Sequence, residues 1–216
     1  MNTDFARQQM IEQQIRAWDV LDTNVLDGLR EARRELFVPA GFETLAFADA
    51  GIPIGHGEVM MTPTIEGRVL QTLALAGGEN VLEIGTGSGF LTACLARLST
   101  HVTSIDIHDD FLDAARQRLD DCDIENVHLL RMNAMRELPE GTFDAIAVTG
   151  SIQTLDPRFA NALAPGGRLF VIVGDSPAMA ATRVTRIDED KLQNDTMFEI
   201  DLAPLTNGAL LPQFSF

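Results

Sequence analysis

Asn80 to Gly89 reads NVLEIGTGSG, an apolar run, an acid, and then three glycines at alternate positions. Only glycine takes positive φ freely and leaves no Cβ in the way, so Gly85, Gly87 and Gly89 fit a turn whose backbone runs close to something bulky. Asp106 lies 21 residues after Gly85, near the roughly 20 expected of an acid that accepts hydrogen bonds from both hydroxyls of a ribose. Met132-Asn133-Ala134 offers a short amide that could hydrogen-bond an adenine edge. The glycine pattern is G-x-G-x-G, with Phe90 where a dinucleotide fold wants its third glycine, so a pyrophosphate turn is disfavoured. Glu83, poorly placed beside a diphosphate, suits the neighbourhood of a sulfonium and an amino group.

These residues need strand ends to carry them. Val81, Leu82 and Ile84 predict a short buried strand, and Phe90, Leu91, Cys94, Leu95 and Leu98 follow at helical spacing. His101–Ile107, Val127–Leu130, Phe143–Val148 and Arg168–Val173 predict four further strands. Between them lie a helix through Phe111, Leu112, Ala115 and Leu119, capped by Asp109 or Asp110, and a short helix over Leu155–Leu163. Alternating strands and helices imply right-handed parallel βαβ units in a doubly wound sheet. Thr182–Ile187 and Thr196–Leu202 flank an acidic turn, Asp188-Glu189-Asp190, and predict an antiparallel edge hairpin. Upstream, Phe5–Trp18 shows one amphipathic face, Asp22 can cap a second helix, and Thr62-Pro63 predicts an N-cap with proline at the first position of a third. Ala40–Met61 has little periodicity and predicts a functional loop. The expected division is residues 1–62 as helical extension and active-site loop, and 63–216 as a ligand-binding core.

The chain has 216 residues and 45% hydrophobic content, enough for one folded domain with an extension. Its formal charge of −16 argues against gripping phosphate backbones over a wide surface, so no nucleic-acid partner is expected. Met1–Asp22 is polar and amphipathic, and no apolar run reaches about 18 residues, so neither membrane span nor signal peptide is expected and the location should be cytoplasmic. Cys94 and Cys122 read as reduced structural thiols. Four scattered histidines show no ligand spacing, and no metal is expected.

VLEIGTGSGFLTACLA resembles the cofactor motif of class I S-adenosylmethionine-dependent methyltransferases, and its wording resembles the protein-L-isoaspartate O-methyltransferase family. RRELFVP, FADAGIPIGHGEVMMTP, VTSIDI, FDAIAVTG and LAPGGRLFVIVG also have family counterparts in order. The resemblance implies a Rossmann-like α/β fold with a mostly parallel sheet, an antiparallel edge hairpin and an N-terminal helical extension. It also implies S-adenosyl-L-methionine as cofactor and S-adenosyl-L-homocysteine as product. Glu83, Gly85, Thr86, Gly87, Ser88 and Gly89 would hold the methionine part, Asp106 with Ile107 the ribose, and Asn133 and Ala134 the adenine, with Thr149 nearby. The implied acceptor is the carboxylate of an L-isoaspartyl residue in a protein or peptide.

The chain departs from the family where the acceptor is held. The family loop ends in a pattern like G-Q-T-I-S-Q-P, whose serine helps position the substrate carboxylate; here Gly57-Glu58-Val59-Met60-Met61-Thr62-Pro63 puts Met61 at that position. A thioether cannot orient a carboxylate as a hydroxyl does. His56, Val59, Met60, Met61 and Thr62 are the expected substrate contacts, with Met61 and Thr62 as the candidates at the catalytic position, although Thr62 as N-cap would have its hydroxyl occupied. Arg33 and Arg34 read either as a solvated helix end or as partners for an anionic substrate. Two alternatives stay open: a different methyl acceptor, and a cofactor-binding protein without catalysis.

Overall fold

A computed structural model describes residues 3–188 and 191–208. Glu189 and Asp190 of the expected acidic turn lie outside the described residues. The first helix, α1 (Thr3–Met10), continues through a wider π-type turn at Ile11–Ile15 and a tight turn at Arg16–Trp18. α2 (Thr23–Glu31) starts on Asp22, whose carboxylate accepts from the Asn24 N–H. Ala40–Met61 is more ordered than expected, because β1 (Ile52–Gly55) and β2 (Glu58–Met60) form a small antiparallel hairpin. Strands this short, with a proline and a glycine in one of them, carry no alternation to read. α3 (Pro63–Leu73) follows.

The core alternates as expected. β3 (Asn80–Ile84), α4 (Phe90–Leu98), β4 (His101–Asp106), α5 (Asp109–Asp120), β5 (Val127–Arg131), β6 (Phe143–Ile152), α6 (Pro157–Asn161) and β7 (Leu163–Asp175) come in turn. β8 (Ala178–Arg186) and β9 (Leu192–Glu199) close the sheet. The strand order is β5-β4-β3-β6-β7-β8-β9; β5 through β7 run parallel, and β8 and β9 are antiparallel. The order reverses at β3, so a crevice opens at the carboxyl ends of β3 and β6. One expectation on capping fails: His108, not Asp109 or Asp110, is the residue before α5, and both acids fall in its first turn, where they meet the positive end of the helix dipole.

Period-two alternation sorts the strand side chains between two layers. Leu82 and Ile84 face one core with Ile105, Ile146, Val148 and Phe159. Val81 faces the other, which extends through α3, α4 and Leu112 of α5 to Met10, Ile11 and Ile15 of the N-terminal helix. The first helical run comes close to α3 because Gly67 has no side chain; a Cβ there would stand 2.8 Å from Ile15 Cγ2. No described helix is long and apolar enough to cross a membrane.

Candidate methyl-transfer site

The crevice holds a cavity of about 430 Å³. Its floor is the turn from β3 into α4. Gly85 has φ +97° and stands so close to β6 that a Cβ would lie 2.1 Å from Thr149 Oγ1. The Thr149 hydroxyl donates to the carbonyls of Ile84 and Gly85 at 2.9 and 3.0 Å, which fastens the turn to the neighbouring strand. Arg118, from α5, donates to the Ser88 carbonyl at 2.9 Å. Gly85, Thr86, Gly87 and Ser88 all border the cavity.

Gly89 and Glu83 do not. Gly89 lies at φ +85°, and a Cβ on it would meet Ala115 Cβ at 2.9 Å, so it lets the start of α4 pack on α5. Glu83 shares the face of Val81 and is fully buried beneath the turn. Its Oε2 accepts from Ser104 Oγ at 2.5 Å and from the Thr92 hydroxyl, and Ser104 is joined to Thr86 Oγ1 at 2.6 Å. Burial pushes the Glu83 carboxyl up to about 8, against the pull of these hydroxyls. The expected place of Glu83 beside a sulfonium is corrected: Glu83 is instead a buttress below the turn, joined to it through Ser104 and Thr86 and absent from the cavity lining.

Asp106 ends β4 at the cavity wall. Its Oδ2 accepts from Gly87 N–H and its Oδ1 from His108 N–H, both at 3.0 Å. A carboxylate has about four lone-pair sites, so two backbone donors orient it and still leave acceptors for a vicinal diol. Ile107, Asn133, Ala134 and Thr149 line the same cavity. Asn133 Oδ1 accepts from Met135 N–H at 2.9 Å, leaving its NH2 as the side-chain donor.

Val59, Met60, Met61 and Thr62 also line the cavity. Thr62 is the residue before α3, with Pro63 at the first position, but its hydroxyl does not cap the helix. It lies 2.9 Å from Thr64 Oγ1, and Thr64 donates its only proton to Asp49 Oδ1 at 2.6 Å. Thr62 must therefore donate to Thr64, and it keeps only acceptor capacity toward the cavity. His56, expected to touch substrate, lies outside the cavity lining and pairs with Asp110 instead.

Arg34 overturns the solvated reading. It is fully buried, donating to the carbonyls of Ala46 at 3.0 Å and Met61 at 2.7 Å and pairing with Glu66 of α3. Its guanidinium also stands over the Phe90 ring, 5.0 Å from the centroid. Burial raises the Glu66 carboxyl and the Arg34 guanidinium opposes the rise. Arg34 thus fixes the loop ahead of α3 at two carbonyls, one of them that of Met61.

The far wall carries no motif that would mark it in the sequence. Ile200–Thr206 follows β9, borders the cavity, and is tied back by Ser151, which donates to Ala203 O and accepts from Leu205 N, each at 2.9 Å. Thr206 Oγ1 then reaches Glu58 Oε1 at 3.1 Å, joining this segment to the β1–β2 hairpin across the mouth. Nothing in its composition marks it as site-forming.

A glycine turn that borders the cavity, an oriented carboxylate with spare acceptors, and an amide on the wall fit the polarity of S-adenosyl-L-methionine. Fold and site define an S-adenosylmethionine-dependent methyltransferase. Residues 5–210 match the family described as Protein-L-isoaspartate(D-aspartate) O-methyltransferase (PCMT), and the chain belongs to that family. It is 37% identical over 207 residues to protein-L-isoaspartate O-methyltransferase 1 of Rhodopseudomonas palustris, covering 94% of this chain and 84% of the relative. A Brucella anthropi protein-L-isoaspartate O-methyltransferase is 31% identical over 219 residues, covering 99% of each. The fold also matches a Plasmodium falciparum chain assigned as a protein-L-isoaspartate O-methyltransferase and crystallised with S-adenosyl-L-homocysteine. That match has a TM-score of 0.81 at 20% identity, covering 93% of this chain and 98% of that one.

Proposed function

We propose that this protein methylates the carboxylate of L-isoaspartyl residues in protein or peptide substrates. The observation that carries the reading is one continuous cavity bordered by the Gly85–Ser88 turn on one side and by Val59, Met61 and Thr62 on the other. When bound, the cofactor supplies a methyl group on a positively charged sulfur, ready for in-line displacement by a carboxylate oxygen. That oxygen is already ionised near neutral pH, so the site needs no general base. The chain's task is placement. Asp106 and the glycine turn fix the donor, while Arg34 holds the Met61 carbonyl and so the wall that faces the acceptor. Ile54, Met61, Leu202 and Leu205 give the cavity an apolar lining.

Incubation of the purified protein with labelled cofactor and an isoaspartyl peptide should give a base-labile methyl ester. No ester above the aspartyl control would refute the reading. Two observations favour a second reading, a different acceptor: Met61 stands at the family's serine position, and the charged lining residues are the acids Glu58, Glu66, Asp106 and Asp201 without a lysine or arginine among those described. Isoaspartyl activity confined to Met61→Ser would favour it.

A further inference from the structure

The Gly55-His56-Gly57 turn, at the tip of the β1–β2 hairpin, reaches the start of α5, where three metal-capable groups meet. His56 Nε2 lies 2.9 and 3.1 Å from the two Asp110 carboxylate oxygens. The His56 and His108 rings stack with centroids 3.9 Å apart and planes 12° from parallel. One ligand atom from each of His56, His108 and Asp110 falls within 4.8 Å of the others. In sequence the two histidines are far apart, which is why no ligand spacing marks them.

Two imidazoles and a carboxylate are a donor set that suits zinc and its neighbours among the divalent transition metals. Ligands held about 2.0–2.1 Å from a tetrahedral ion stand roughly 3.3 Å from each other, so the His56–Asp110 spacing is already close. The stacked rings must still turn for their lone pairs to converge. That rotation is about χ2, a soft torsion in histidine, and the His56 side chain is 42% exposed. Both rings otherwise rest edge-on against Phe111, at 5.3 and 5.2 Å. His56 itself sits at φ +53°, in the left-handed region that histidine enters more readily than most side chains.

We infer that His56, His108 and Asp110 bind one divalent transition-metal ion of the zinc class, which ties the β1–β2 hairpin to the cofactor half of the molecule. The ion takes the position between His56 Nε2 and Asp110, the proton there passing to His56 Nδ1 or to solvent, and water completes the coordination. Its effect reaches the donor site by a short route. The His108 N–H donates to Asp106, and Ile54 of the hairpin covers the glycine turn, its Cδ1 being 3.2 Å from where a Cβ on Gly87 would stand.

The test uses full-length protein without an affinity tag, stripped by a chelator, with zinc or cobalt alone as the probe. One ion should bind per chain, cobalt should show the intense visible absorption of a four-coordinate site, and amide exchange across Ile52–Met60 should slow when metal is added. His56→Ala and Asp110→Asn should each weaken binding by about tenfold or more with unchanged far-ultraviolet circular dichroism, while His128→Ala should bind like the parent. Absence of saturable binding, or binding unaltered in His56→Ala, would overturn the site; binding without slower exchange would overturn the tie. None of these readouts needs a methyl acceptor, so their failure is separate from failure of the methyl-transfer reading.

Discussion

The glycine turn and the loop carrying Met61 face each other across one cavity, and each rests on a fully buried glutamate, yet the two are held by different physics. Glu83, under the turn, meets only the hydroxyls of Thr92 and Ser104. Glu66, under the loop, meets the guanidinium of Arg34. Burial drives both carboxyls toward their protonated forms, and on the donor side the rise is opposed by the hydroxyls of Ser104 and Thr92 alone. The acceptor side depends on a buried ion pair whose cation also holds two loop carbonyls. A ligand shared across a family can be gripped by backbone, whereas a specificity loop has to be tethered by side chains from elsewhere.

The sharpest way to break this comparison is to neutralise each glutamate in turn. Removing one member of a buried ion pair costs about 3–5 kcal/mol, because the partner is left charged and unpaired. Glu66→Gln should therefore unfold at clearly lower denaturant concentration at neutral pH. Glu83→Gln should act in the opposite direction, by an amount that grows as pH rises from about 4.5 to about 8. The folded Glu83 carboxyl titrates near 8 against an ordinary 4.5, so between those values the folded state binds more protons than the unfolded one. Its contribution to stability is fully present below about pH 4.5 and is lost as pH rises toward 8, at a limiting slope of about 1.4 kcal/mol per pH unit. Denaturant titrations from pH 5 to 9 should show the parent losing stability that Glu83→Gln keeps. Parallel curves would contradict the assignment.

Gly85→Ala attacks the donor side directly. An alanine at φ +97° with its Cβ 2.1 Å from Thr149 Oγ1 adds backbone strain of about 1–3 kcal/mol and moves the turn. Affinity for S-adenosyl-L-homocysteine should fall about 100-fold by calorimetry, which corresponds to about 2.7 kcal/mol.

The same contrast separates what the amino-acid sequence makes legible from what it hides. The turn, Asp106 and the parallel sheet are legible because strand alternation, helical spacing and glycine at alternate positions are local signals. The acceptor side joins residues 32 apart in Arg34 and Glu66 and 148 apart in Thr206 and Glu58, and no local pattern announces such pairs. Arg34 illustrates the limit: beside Arg33 at a helix end it reads as solvated, and only the fold buries it. Glu83 illustrates a second limit, since its place next to the glycines gives its position along the chain but not its burial beneath the turn on Ser104 and Thr92.

Met61→Ser separates the two halves from the acceptor side. Restoring a hydroxyl where the family holds its substrate carboxylate should raise kcat/KM on an isoaspartyl peptide about tenfold, within the hundredfold that misplacement can cost. Cofactor affinity should stay unchanged, because Met61 belongs to the opposite wall. A parallel change in cofactor affinity would show that the halves are not independent.

Thr62 should matter least, although it is the residue next to Met61. Its hydroxyl donates to Thr64, which donates to Asp49, so the proton that could bind a carboxylate is directed away from the cavity. What remains is a lone pair, which repels an anionic acceptor rather than holding it. Thr62→Val keeps the shape and the β-branched, extended backbone before Pro63 and removes only the hydroxyl. Turnover of isoaspartyl peptide should change by less than about threefold, while stability falls by about 1 kcal/mol for the lost hydrogen bond. A fall in kcat of about tenfold or more at unchanged stability would mean that the hydroxyl turns toward substrate when the cavity is filled, and that Thr62 replaces the family's serine from one residue further along.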